Sequence, residues 1–177
     1  LEAFEKGEVG KNVIPVIGTP NSHTMTFNPK EFFGTEIPKL KKPDFFPIIS
    51  SNILAEILAS KLPKGSIQGF IVEGPTAGGH NAPPRRGKDY GQKDIVNLAK
   101  LRGLGIPFWL AGSFASPEKL REALEYGAEG IQVGTIFALC NESGMDPVLK
   151  SLARKLAFQR NLRIWTDPDA SPTGFPF

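Results

Sequence analysis

Cysteine and histidine are nearly missing from this 177-residue chain: Cys140 is its one thiol, and His23 and His80 are its two imidazoles. A single cysteine excludes an internal disulfide framework and suits a reducing compartment. It ends the apolar run Ile136-Phe137-Ala138-Leu139-Cys140, where a buried, inert thiol is expected rather than a nucleophile. Long hydrophobic runs are absent as well. No stretch approaches the roughly 18 apolar residues of a membrane span. The opening LEAFEKGEVG lacks the apolar segment of a secretory signal, so a cytoplasmic protein is expected. Excess charge of one sign is small: 21 Lys and Arg against 18 Asp and Glu leave +3. That is too little to indicate nucleic acid, and Lys39, Lys41 and Lys42 form only a short cluster of the kind found on solvated loops. There is no Gly-x-Ser-x-Gly elbow, no Gly-x-Gly-x-x-Gly and no cluster of metal ligands, so serine hydrolysis, a Rossmann site and metal hydrolysis have no support.

What is present is a repeated order. Apolar residues at 40% and charged residues at 22% suit one globular domain with a sizeable core. Within it, four units run strand, small-residue turn, helix. FPIIS (Phe46 to Ser50) precedes a helix capped at Asn52, with Ile53, Ile57, Leu58 and Leu62 at helical spacing. GFIVE (Gly69 to Glu73) is followed, after a long loop, by a helix over Gln92 to Leu104. PFWLA (Pro107 to Ala111) leads to Ser116 as N-cap and Pro117 at the first helical position. GIQV (Gly130 to Val133) leads through a loop to a helix over Asp146 to Phe158. Buried-looking strands alternating with helices predict a parallel α/β sheet. Residues 1–45 form a connecting segment with a further strand at Val13 to Thr19 and a Pro- and Lys-rich stretch from Phe27 to Asp44. Residues 46–160 hold the four units, and residues 161–177 a loop-like tail. Four units are half of a closed eight-unit barrel, so either the sheet is open or a preceding half is missing.

Small residues gather where these strands end. Gly74-Pro75 and Ala77-Gly78-Gly79-His80 follow the second strand, Gly112-Ser113 the third and Gly134-Thr135 the fourth. Ligands of parallel α/β folds sit at the carboxyl ends of the strands, where glycines let backbone N–H groups approach a phosphate. Each such turn is also explained by geometry alone; it is the succession of two that points to binding. His80, in EGPTAGGHNAPPRR, is either a loop residue without a role or a base, since an imidazole exchanges protons near neutral pH. His23 lacks such a setting and reads as a turn residue. Arg85 and Arg86 either clamp an anion or decorate a surface loop. Glu73 either orients the His80 loop as an acceptor or closes a salt bridge.

Taken together, GFIVEGPTAGGH, PFWLAGSFASPEKLREAL and GAEGIQVGTIFAL resemble the C-terminal half of the nitronate monooxygenase (2-nitropropane dioxygenase) family, over roughly residues 46–177. The resemblance implies an FMN-dependent TIM barrel that oxidises alkyl nitronates or nitroalkanes with oxygen, its N-terminal half not represented here. By the same resemblance His80 is the catalytic base, and Gly78 and Gly79 lie against the flavin. Gly112, Ser113, Gly134 and Thr135 would hold the FMN phosphate with Gln132 beside them; Ser113 stands where glycine is common. A half barrel implies weak FMN binding unless a second copy or the upstream half completes it. Two alternatives remain: an FMN-dependent enoyl-acyl carrier protein reductase, which resembles this barrel, and a non-catalytic barrel within a larger synthase.

Overall fold

A computed structural model describes residues 2–15, 20–39, 41–82, 84, 89–167 and 169–170. The chain divides into two compact units, Leu1–Asp44 and Phe45–Phe177. No helix among the described residues is long and apolar enough to cross a membrane.

In the first unit a short helix, α1 (Glu2–Glu5), precedes an antiparallel hairpin of β1 (Gly10–Pro15) and β2 (Ser22–Phe27). The strand expected from Val13 to Thr19 thus starts earlier, and residues 16–19 lie outside the described ones. His23 is not a turn residue; it sits in β2 opposite Ile14. The run around His23 is not apolar enough to announce a strand alone, but pairing with β1 satisfies its inward-facing backbone groups. The connection after Phe27 contains one helical segment, α2 (Pro29–Phe33), because Asn28 accepts from the Lys30 N–H and Pro29 is set for the first turn.

The second unit is α/β, with a parallel four-stranded sheet in the order β3 (Ile48–Ile49), β4 (Phe70–Glu73), β5 (Phe108–Ala111), β6 (Gly130–Gln132). Helix α3 (Asn52–Lys61) is capped by Ser51, whose Oγ accepts from the Leu54 N–H at 3.1 Å, and not by Asn52. Asn52 instead exchanges two 2.8 Å hydrogen bonds with the backbone of Asn97. Asn97 in turn caps α4 (Leu98–Arg102). The single helix expected over Gln92 to Leu104 is therefore split into a 3-10 turn at Gln92–Asp94 and α4. Asn97 is the cause, since its short polar side chain takes the Lys100 N–H that an unbroken helix would use, while Asp94 takes the Gly91 N–H ahead of the 3-10 turn. Helix α5 (Pro117–Glu125) starts at Ser116 and Pro117 as its sequence signals predict. After β6 comes a one-turn helix, α6 (Thr135–Ala138), where a loop was expected; Cys140, just beyond it, is half-exposed rather than buried. Helix α7 (Pro147–Phe158) is capped by Asp146, which accepts from the N–H groups of Val148 and Leu149.

The core lies on one face of this sheet. Phe70 and Val72 of β4 and Phe108 and Leu110 of β5 pack with Ile49 against Ala55 of α3, Leu101 of α4 and Ala123 of α5. Burying each large side chain contributes roughly 1.5–3 kcal/mol, and the alanines let the helices sit close to the strands. The opposite face is arranged in register rows. Ile48, Ile71, Trp109 and Gly130 are neighbours in one row, and Glu73, Ala111 and Gln132 in the next, nearer the carboxyl ends. The Trp109 ring lies over Gly69 and Gly130 and meets Phe46 edge-on at 5.2 Å. A Cβ on Gly69 would collide with it, and one on Gly130 would press against it at 3.1 Å.

Candidate functional site

Alternation along the strands puts Glu73, Ala111 and Gln132 on the face away from the helices, and the loops that follow rise above that row. Residues 74–82 open with a turn in which the Ala77 N–H donates to the Gly74 carbonyl at 3.0 Å. The next loop turns at Gly112 and Ser113, both left-handed with φ of 86° and 59°. The two loops are stitched together. Thr76 Oγ1 donates to the Gly112 carbonyl at 3.3 Å, and Ser113 Oγ donates to the Thr76 carbonyl at 3.2 Å. A Cβ on Gly112 would come within 2.8 Å of the Ala77 nitrogen, so glycine is required by this contact as well as by φ. Gly134 is different: a Cβ there meets nothing within 4 Å.

These loops enclose a cleft of about 470 Å3. Seven of the sequence-derived candidates line it, namely Gly78, Gly79, Gly112, Ser113, Gln132, Gly134 and Thr135, and Glu73 forms part of its wall. Three successive strand ends are thus brought to one place. The open side of Gly134, the first turn of α6 and the polar Ser113, Gln132 and Thr135 suit a flat ligand carrying a phosphate, which makes the residues present compatible with FMN. The Ser113 hydroxyl, however, is occupied at the Thr76 carbonyl. It supports the turn, leaving the backbone of this residue for a ligand.

His80 is exposed and lines a neighbouring, smaller cleft of about 260 Å3 with Ile48, Ser50, Leu54, Asn81 and Ala82. Glu73 borders both clefts and is the wall between them. Half-burial pushes the Glu73 carboxyl above its ordinary range of 4.5. Among the described residues it makes no ion pair. Arg85 and Arg86 lie outside the described residues.

Sequence reasoning passed over the residues that hold the His80 loop. Asn81 Nδ2 donates to the Gly74 carbonyl at 2.9 Å and to Thr166 Oγ1 at 3.3 Å. Thr166 is fully buried, with its hydroxyl on the Ala77 carbonyl and its N–H on the Pro75 carbonyl. An asparagine in a glycine-rich loop was one available signal, since its carboxamide commonly binds nearby backbone; nothing local marks Thr166.

The sequence profile described as Nitronate monooxygenase matches residues 37–163. A nitronate monooxygenase of Pseudomonas aeruginosa is 31% identical over 109 residues, 60% of this chain and 31% of that protein. A probable nitronate monooxygenase of Bacillus subtilis is 32% identical over 83 residues, 45% of this chain and 24% of its own. A hydroxy-methyl-oxo-octahydroindene-carboxyl-CoA dehydrogenase of Rhodococcus jostii is 32% identical over 111 residues, 62% of this chain and 30% of its own. The chain therefore spans about a third, or less, of the curated relatives it matches. No solved structure matches it. Because the profile covers well over half of the residues, including every strand that contributes to the cleft, the chain belongs to the nitronate monooxygenase family.

Proposed function

We propose that these residues form the carboxyl-terminal half of a TIM barrel in an FMN-dependent oxidoreductase that oxidises alkyl nitronates or nitroalkanes with oxygen as acceptor. The observation that carries this is the meeting of three glycine-bearing strand ends in one cleft, in a chain of this family. Gly112, Ser113, Gly134 and Thr135 would hold the phosphate, Gly78 and Gly79 would lie along the ring, and Gln132 would stand beside it. Bound FMN supplies the electron transfer from substrate to oxygen. His80 would take the proton from the carbon bearing the nitro group, and would have nothing to abstract from a preformed nitronate. Glu73, whose carboxyl pKa is raised by burial, would stand at the edge of the substrate cleft.

The second face of the sheet supports the half-barrel reading. Ile48 is 54% exposed there and Phe46 is 37% exposed, whereas parallel sheets ordinarily have both faces covered. Flavin retention is accordingly expected to need the rest of the barrel or a second copy. Tight, stoichiometric flavin in a monomer of these residues alone would refute that.

The first test is the visible spectrum of the native-length protein as purified. A flavin spectrum is expected; a colourless folded protein that takes up no added FMN removes the enzymatic reading. With flavin present, His80→Asn should reduce turnover of neutral nitroalkane far more than that of nitronate, and equal losses would count against a base. The likeness to the Rhodococcus dehydrogenase favours one other reading, dehydrogenation of a CoA thioester in the same cleft. Flavin reduction by an acyl-CoA and none by nitronate would decide for it.

A further inference from the structure

Behind the loop that carries His80 runs the segment Ile164–Thr166, and its three consecutive side chains meet the loop in three ways. Ile164 lines the glycine cleft, where its Cγ2 would stand 3.3 Å from a Cβ on Gly78. Trp165 packs edge-on against Tyr90 with centroids 6.3 Å apart, and the Tyr90 hydroxyl donates to the Ala82 carbonyl at 2.8 Å. Thr166 donates its N–H to the Pro75 carbonyl at 2.8 Å. Its hydroxyl donates to the Ala77 carbonyl at 2.9 Å, across 89 positions of sequence, and accepts from Asn81 Nδ2 at 3.3 Å.

The two partners of this hydroxyl bracket Gly78-Gly79-His80. Such a triplet has unusual backbone freedom, and Gly79 is left-handed with φ of 91°. Left to itself it would sample many conformations and spread His80 over all of them. One buried oxygen, tied immediately before the triplet and immediately after it, closes the loop at both ends.

We infer that Thr166 is a positioning residue: its buried hydroxyl fixes the bend that presents Gly78 and Gly79 to the cleft and His80 to substrate. This rests on the flavin and base roles proposed above, but the bend can be measured without them. Thr166→Val keeps the shape but removes the hydroxyl from the Ala77 carbonyl and from Asn81, whose Nδ2 then donates only to the Gly74 carbonyl; Thr166→Ser keeps the hydroxyl. In the native-length protein, amide hydrogen exchange at Ala77 and at residue 166, whose N–H groups donate to the Gly74 and Pro75 carbonyls, is expected to rise about tenfold or more in Thr166→Val. It should return close to the wild-type rate in Thr166→Ser, with Phe70 to Val72 and Phe108 to Leu110 unchanged in both. Catalytically, Thr166→Val should lower kcat for nitroalkane with little change in KM, lower nitronate turnover less, and be rescued by serine. Should the valine variant not fold, Asn81→Ala, at a half-exposed position, carries the same expectation. Unaltered loop exchange, or a rise spread evenly through the sheet, would overturn the inference. A localised rise in a protein that never binds flavin would support the bend while the flavin reading fails on its own.

Discussion

Gly112→Ala is the most telling single change, because two independent constraints meet at that residue. Its φ of 86° is left-handed, and an L-residue held there loses about 1–2 kcal/mol. The added methyl would lie 2.8 Å from the Ala77 nitrogen, 3.0 Å from the Thr76 carbonyl carbon and 3.1 Å from the Ala77 Cα. All three are backbone atoms of a loop pinned by Thr76, Ser113 and Thr166, so none can swing aside as a side-chain tip would. Overpacking of this kind adds about 1–3 kcal/mol. The smaller entropy of the unfolded alanine chain returns about 0.4–1 kcal/mol. The net loss is about 1–5 kcal/mol, which for a chain of this size lowers Tm by about 2–20 °C. Thermal unfolding followed by circular dichroism reads this directly, with Gly134→Ala as the control. Gly134 has φ of −125° and open space around the new methyl, so its variant should unfold within about 1 °C of the wild type while binding FMN more weakly. A Gly112→Ala protein as stable as the wild type would mean that the loops after β4 and β5 are not locked together. The shared cleft would then lose its structural basis.

Two further outcomes follow from the same contacts. Burial raises the Glu73 pKa above 4.5, so the folded protein holds that proton more tightly than the unfolded chain. The corresponding stability is fully present below pH 4.5 and is lost as pH rises through the higher folded value. Glu73→Gln does not titrate, so its Tm should gain on that of the wild type as pH rises from about 4 to about 8; a difference independent of pH would refute the burial effect. Asp146→Ala removes the acceptor of the Val148 and Leu149 N–H groups and should cost about 1 kcal/mol in thermal unfolding, without changing flavin content.

What the sequence determined here is what is local. Alternating short apolar runs, Ser116 with Pro117, Asp146 with Pro147 and the glycines at strand ends each act within a few residues, so the four strands of the parallel sheet, the starts of α5 and α7 and the residues that gather in the glycine cleft are legible directly. The tertiary structure decided what depends on distant partners. Pairing with β2 made a strand of Gly10–Pro15, and the Asn52–Asn97 exchange helped break the expected helix before Leu98. Register put Glu73, Ala111 and Gln132 in one row along the glycine cleft, and of these Glu73 also borders the cleft beside His80. Thr166 carries no local mark at all, because its hydrogen bonds reach residues more than eighty positions away, and no periodicity or spacing encodes a contact at that distance.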